Sequence, residues 1–114
     1  MLGNYSVGLA FLGGKGSDID AKAAIHYFKE SSLLGHAISP VKIGDLYFQG
    51  KLIEKDYVNA HFWLSLANDR NASGAMRRLN MLKSKMNQEQ KRQAFLLNRK
   101  CRELTLKKCV KSNL

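Results

Sequence analysis

Ile43-Gly44-Asp45-Leu46-Tyr47-Phe48-Gln49-Gly50, followed after a short loop by Asp56, Ala60, Phe62-Trp63 and Ala67, is the stretch that decides the fold. Ile43, Leu46 and Tyr47 recur at helical spacing. Pro40 suits the first turn of that helix, where its missing N–H costs little. Gly50 tolerates the left-handed conformation common where a helix ends. Residues 51–55 read as a loop, and Asp56 as the N-cap of a second helix. On that helix Ala60, Trp63, Leu64 and Ala67 make one apolar stripe, with Ala60 allowing close approach and the Trp63 ring filling the space beside it. The unit is therefore a helix–loop–helix.

Thirty-six residues earlier the pattern recurs. Gly8 matches Gly44, Phe11 matches Tyr47, Gly14 matches Gly50, Asp20 matches Asp56, Ala24 matches Ala60 and Tyr27 matches Trp63. Two series extend to a third unit: Val7, Ile43, Leu79, and the small residues Gly3, Ser39, Ala75. A period of this length is the signature of a solenoid built from helix pairs. Gly8 and Gly44 each cost about 1 kcal/mol against Ala inside a helix. Their shared repeat position predicts close backbone contact there.

The expected fold is an all-α single domain over residues 1–114, a short α-solenoid. Its two full repeats span about 3–38 and 39–74, a partial third spans 75–86, and a capping helix spans about 88–109. Asn87 is its expected N-cap, with Gln90 in the capping-box position. Ala94, Leu97, Cys101, Leu104 and Lys108 would lie along one face of this long helix, widened by Phe95 and Leu96. Terminal repeats are often atypical because they shield the last apolar face. On one continuous helix Cys101 and Cys109 would stand about 12 Å apart along the axis. A disulfide needs Cα atoms within roughly 7 Å. Cys101 is thus expected as a small apolar core residue, and a bond would require the helix to break.

These residues resemble the Sel1-like repeat family, helical repeats related to tetratricopeptide repeats. The resemblance rests on Ile43-Gly44-x-Leu46-Tyr47-x-x-Gly50 with Asp56, Ala60, Phe62-Trp63 and Ala67. In the first unit it rests on Val7-Gly8-x-x-Phe11-x-x-Gly14-x-Gly16 with Asp20, Ala24 and Tyr27-Phe28. Leu52 departs from the pattern where Gly16 keeps it, and Asn71 stands in place of the glycine seen at Gly35. The resemblance implies a non-catalytic adaptor or scaffold, of a kind found in bacterial signalling, secretion or envelope processes, that binds proteins on a concave surface.

Charge is distributed unevenly. Residues 1–75 hold seven Lys/Arg against seven Asp/Glu, whereas residues 76–114 hold twelve against two, so the formal charge of +10 resides in the last third. Such a region favours an acidic protein patch, with nucleic acid or an anionic membrane surface as weaker alternatives and solubility as the plainest role. No stretch has the length of a membrane span. The stretch 7–12 is too short for a signal peptide, with no Lys or Arg before Lys15. A cytoplasmic location is the expectation, or a secreted or periplasmic one if a leader belongs to the protein.

Enzymatic function is not expected. Of the histidines His26, His36 and His61, neither His26 nor His61 has a carboxylate or cysteine partner at obvious metal-ligand spacing, and neither cofactor nor metal is expected. Asp20 and Asp56 stand one repeat apart, as separate caps. The 13–17 run lacks the phosphate-loop pattern. The leading expectation is a protein-interaction adaptor using the first helix of each pair, with Asp45, Phe48, Gln49 and Arg78 as candidate contacts. Lys100 and Arg102 are candidates in the basic region. A nucleic-acid-associated protein and an immunity or inhibitor protein are the alternatives, and the N-terminal edge around Val7 is a candidate homo-oligomer contact.

Overall fold

A computed structural model describes residues 2–13 and 19–113, except for the side chains of residues 2, 102, 103 and 111–113. It has seven helices among the described residues: α1 (Leu2–Gly13), α2 (Ala21–Leu33), α3 (Ser39–Gln49), α4 (Tyr57–Asp69), α5 (Ala75–Lys85), α6 (Gln88–Glu103) and α7 (Leu106–Asn113). The first helix of each repeat pairs with the second, α1 with α2 and α3 with α4, and each pair stacks on the next. The molecule measures 42 × 28 × 26 Å.

The two repeats use the same local chemistry. The Asp20 carboxylate accepts from the Ala23 N–H at 3.0 Å, and Asp56 from the Asn59 N–H at 3.0 Å. The cap backbones repeat as well, with the Asp20 N–H donating to Phe11 O at 2.7 Å and the Asp56 N–H to Tyr47 O at 3.0 Å. Gly35 (φ 101°) and Asn71 (φ 61°) occupy the same left-handed position after α2 and α4, so the asparagine substitutes for glycine without altering the turn. Gly50 ends α3 at φ 66°. Its expected counterpart Gly14, and the 14–17 part of the glycine-rich run, lie outside the described residues.

The helical glycines mark the closest contacts. A Cβ on Gly8 would come within 2.6 Å of the Phe28 ring, and one on Gly44 within 2.6 Å of Leu64 Cγ. Phe28 and Leu64 are themselves one repeat apart. Each glycine thus lets the first helix lie against a large, fully buried side chain of the second. Burial of a side chain of that size stabilises by about 1.5–3 kcal/mol, more than the helix propensity the glycine forfeits.

Packing divides into two neighbouring clusters. One joins Ala24, Ile25, Phe28, Ile43, Leu46, Phe62 and Trp63. The other joins Val41, Ala60, Leu64, Ala67, Ala75, Leu79, Leu82, Met86 and Ala94. Helix α4 contributes to both. Trp63 is fully buried, with its ring edge-on to Phe62 at 5.1 Å. Its counterpart Tyr27 is half-buried and stacks on Phe11 at 5.7 Å. Across the repeat boundary, Arg70 Nη1 donates to the carbonyls of Ser32 and His36, both at 2.8 Å. His36 Nδ1 accepts from the Ser39 N–H at 3.1 Å, and burial is the main cause that lowers its pKa below the ordinary histidine value, with the Arg70 charge among the lesser ones.

The cap differs from the expected long helix. Asn87 and Gln90 do form a capping box, with reciprocal bonds of 2.8 and 2.9 Å. But α6 stops at Glu103, the chain turns through an extended Leu104, and α7 begins at Leu106. Thr105 explains the break, since its hydroxyl accepts from the Lys108 N–H at 3.3 Å as an N-cap does. The reversal brings the Cα atoms of Cys101 and Cys109 to 5.3 Å, and the two cysteines form a disulfide. The expectation of unbridged cysteines is therefore corrected, for the reason that the helix breaks between them. Cys109 and Val110 of α7 join the first cluster. Leu104 and Lys108 are exposed instead of facing the core, and Phe95 and Leu96 point outward and do not widen the buried face, which is carried by Ala94, Leu97 and Cys101.

In a chain-entropy account, a bridge closing so short a loop contributes about 2–3 kcal/mol. Cys101→Ser/Cys109→Ser, or reduction of the wild type, should lower the urea-derived unfolding free energy by about that amount. Urea midpoints that do not move on reduction would show that the bridge adds nothing to the stability of the stack.

Candidate functional site

Helices α3 and α5, the first helices of successive units, bound a groove of about 400 Å³ lined by Asp45, Phe48, Gln49, Leu64, Arg77, Arg78 and Met81. Its geometry follows from helical spacing. Asp45, Phe48 and Gln49 stand at i, i+3 and i+4 on α3, and Arg77, Arg78 and Met81 at i, i+1 and i+4 on α5, so each set shares one face. Leu64 of α4, fully packed against Gly44, provides an apolar contribution from behind.

Arg78 Nε donates to Asp45 Oδ1 at 2.9 Å, with the two side chains 34% and 29% exposed. A pair so exposed adds at most about 1 kcal/mol to stability. Its stronger consequence is positional, because it ties the middle of α3 to the first turn of α5 across the groove. Arg78 Nη1 also donates to Gly74 O at 3.3 Å, which fixes the guanidinium further. Arg77 is exposed, and Met81 is 52% exposed. Phe48 is half-buried, its ring 5.8 Å from that of Tyr57. The groove thus has an apolar lining, one internal ion pair and one further exposed cation.

All four groove candidates read from the sequence, Asp45, Phe48, Gln49 and Arg78, are brought together here. Lys100 is not, since it is exposed on α6, which packs against α4 and lies outside the groove. The Arg102 side chain lies outside the described residues. Sequence reasoning missed Arg77, Met81 and Leu64. Met81 carried a signal, standing three residues after Arg78 on a helix whose buried face is set by Ala75, Leu79 and Leu82.

Two other cavities lie elsewhere. One, of about 530 Å³, is lined by Lys22, Ile25, Lys29, Tyr47, Ile53, Glu54, Lys55, Asp56 and Asn59. Burial lowers the Lys29 pKa there. The other, of about 390 Å³, lies between α4, α5 and the cap, and His61 lines it with Asn98, Lys83 and Cys101. Ser65 Oγ and Asn98 Nδ2 stand 3.4 and 3.3 Å from His61 Nδ1. Burial, then the Lys83 charge, lowers the His61 pKa. His61 therefore joins the last repeat to its cap. Among the described residues no group of three or more His, Cys, Asp or Glu could hold a metal ion. No helix among them is long and apolar enough to cross a membrane.

Comparison with known proteins agrees with this architecture. No curated protein matches the chain. Among solved structures, the crystal structure of c5321, a protective antigen present in uropathogenic Escherichia coli strains displaying an SLR fold, is similar with a TM-score of 0.71 and 30% identity. The match covers 82% of this chain and 20% of that one, so the present chain spans about a fifth of the antigen's length. Sel1-like repeats are generally protein–protein interaction modules and typically non-catalytic. The Sel1 repeat pattern matches residues 2–36 and 41–71, more than half of the sequence, and with the paired glycine contacts and Asp caps it makes this chain a member of the Sel1 repeat family.

Proposed function

We propose that the protein is a non-catalytic adaptor that holds a short segment of a partner protein in the α3–α5 groove. The observation that carries this reading is the convergence of Phe48, Leu64 and Met81 with the Asp45–Arg78 pair and Arg77. Apolar side chains supply area to bury, and the polar groups supply register. With Asp45 engaged by Arg78, Arg77 gives the groove a cationic excess. The favoured segment therefore carries an acidic residue beside one or two apolar anchors.

The reverse-turned cap bears on where the protein works. Disulfides persist where thiols are oxidised and are rare where glutathione keeps them reduced. The Cys101–Cys109 bridge therefore favours an extracytoplasmic site of action over the cytoplasmic one expected from the sequence. Alkylation of protein taken directly from its native cells reads this. Two blocked thiols are expected, and two freely alkylated ones would return the protein to a reducing compartment.

Selection of peptides from a random display library on the immobilised protein tests the groove. Enriched sequences should combine acidic and apolar residues. Their affinity should fall about tenfold or more in Phe48→Ala and in Arg77→Glu, the latter sparing the Asp45–Arg78 pair. Lys100→Glu should bind as wild type. Peptides indifferent to Phe48 and Arg77 would place the interaction elsewhere.

A further inference from the structure

We propose that the outer face of α6 is a peripheral docking surface for an anionic lipid bilayer. The face is separate from the groove. Ala94, Leu97 and Cys101 turn α6 toward the repeats, which leaves Phe95 and Leu96 projecting outward, 64% and 47% exposed. By helical periodicity Lys91 and Arg99 stand one turn either side of Phe95, and Arg92 and Lys100 one turn either side of Leu96. All four cations are exposed. Each protruding apolar side chain is thus flanked along the axis by positive charges. Lys107 and Lys108 of α7 are exposed beside this helix and add to the field. Glu89, in the first turn of α6, is exposed within 3.3 Å of the Gln93 amide, and Glu103 closes the helix, so its two acidic positions stand toward the ends and the four cations between them.

The chemistry discriminates between possible occupants. A strand of nucleic acid would use the cations and could stack on Phe95, but it gains nothing from Leu96, which has no aromatic face, whereas a bilayer takes both side chains. A partner protein needs about 800 Å² from each side for a stable interface. A single helix of this length offers a strip roughly 24 Å long and 10 Å wide, about a third of that area. A bilayer interface requires neither depth nor a second wall. It takes apolar tips into the acyl boundary while anionic headgroups meet the flanking cations, as in interfacial helices. Binding through so few anchors is reversible and leaves the groove free for its own ligand.

Co-sedimentation of the disulfide-intact full chain with vesicles of mixed phosphatidylglycerol and phosphatidylcholine, against phosphatidylcholine alone, tests this. Anionic vesicles should bind at least about tenfold more protein, with binding weakened by salt. Phe95→Ala/Leu96→Ala keeps helix propensity high and should lose about tenfold. Arg92→Gln/Arg99→Gln should lose a similar factor and abolish most of the lipid selectivity. Equal binding to both vesicle types would overturn the proposal, as would an alanine variant that binds like wild type. So would tighter association with a single-stranded oligonucleotide or polyglutamate than with the anionic vesicles.

Discussion

The structure depends on two places where a helix backbone has no side chain to keep a neighbour away. At Gly8 and Gly44 the first helix of each pair lies directly against Phe28 and Leu64 of the second, at separations no Cβ could accept. That approach draws the pair together closely enough for Ala24 and Ala60 to be wholly buried. It also fixes which face of each first helix remains available. With Gly44 and Ile43 turned inward, Asp45, Phe48 and Gln49 are left at the groove, and the position of α5 on α4 brings Arg77, Arg78 and Met81 opposite them.

Stability and recognition therefore draw on different residues. The fully buried Trp63, Phe28, Ile43 and Leu64 carry the packing energy. The Asp45–Arg78 bridge is too exposed to add much to it, and contributes by ordering a surface. Helix α4 connects the two roles, since it supplies side chains to both clusters, contacts the groove through Leu64, and receives the cap through His61 and Asn98. The cap in turn closes the stack with Cys109 and Val110 and turns a cationic face outward.

The repeats were legible because their signals are local and doubled. Asp20 and Asp56 cap the turns that begin α2 and α4, Gly35 and Asn71 end them, and each signal has its partner one repeat away. The groove was legible in part: the repeat pattern on α3 offered Asp45, Phe48 and Gln49, and α5, with only Ala75 and Leu79 in register, offered Arg78 alone, so Arg77 and Met81 stayed hidden. The cap misled for a physical reason. Ala94, Leu97, Cys101, Leu104 and Lys108 continue one helical stripe, and nothing in that periodicity reports a chain reversal. Thr105 was the available signal, an N-cap residue inside an apparent helix, and it outweighs the stripe because the reversal lets Cys109 and Val110 reach the core. Phe95 and Leu96 were read as core for the same reason, since a helix apolar on two sides does not declare which side is covered.

A double-mutant cycle on Gly44 and Leu64, followed by urea unfolding, measures the central contact most directly. The account predicts that Gly44→Ala costs about 1–3 kcal/mol in the wild-type background, despite alanine's better helix propensity, and far less once Leu64→Ala has removed the opposing side chain. Strict additivity, or a Gly44→Ala protein more stable than wild type, would contradict it.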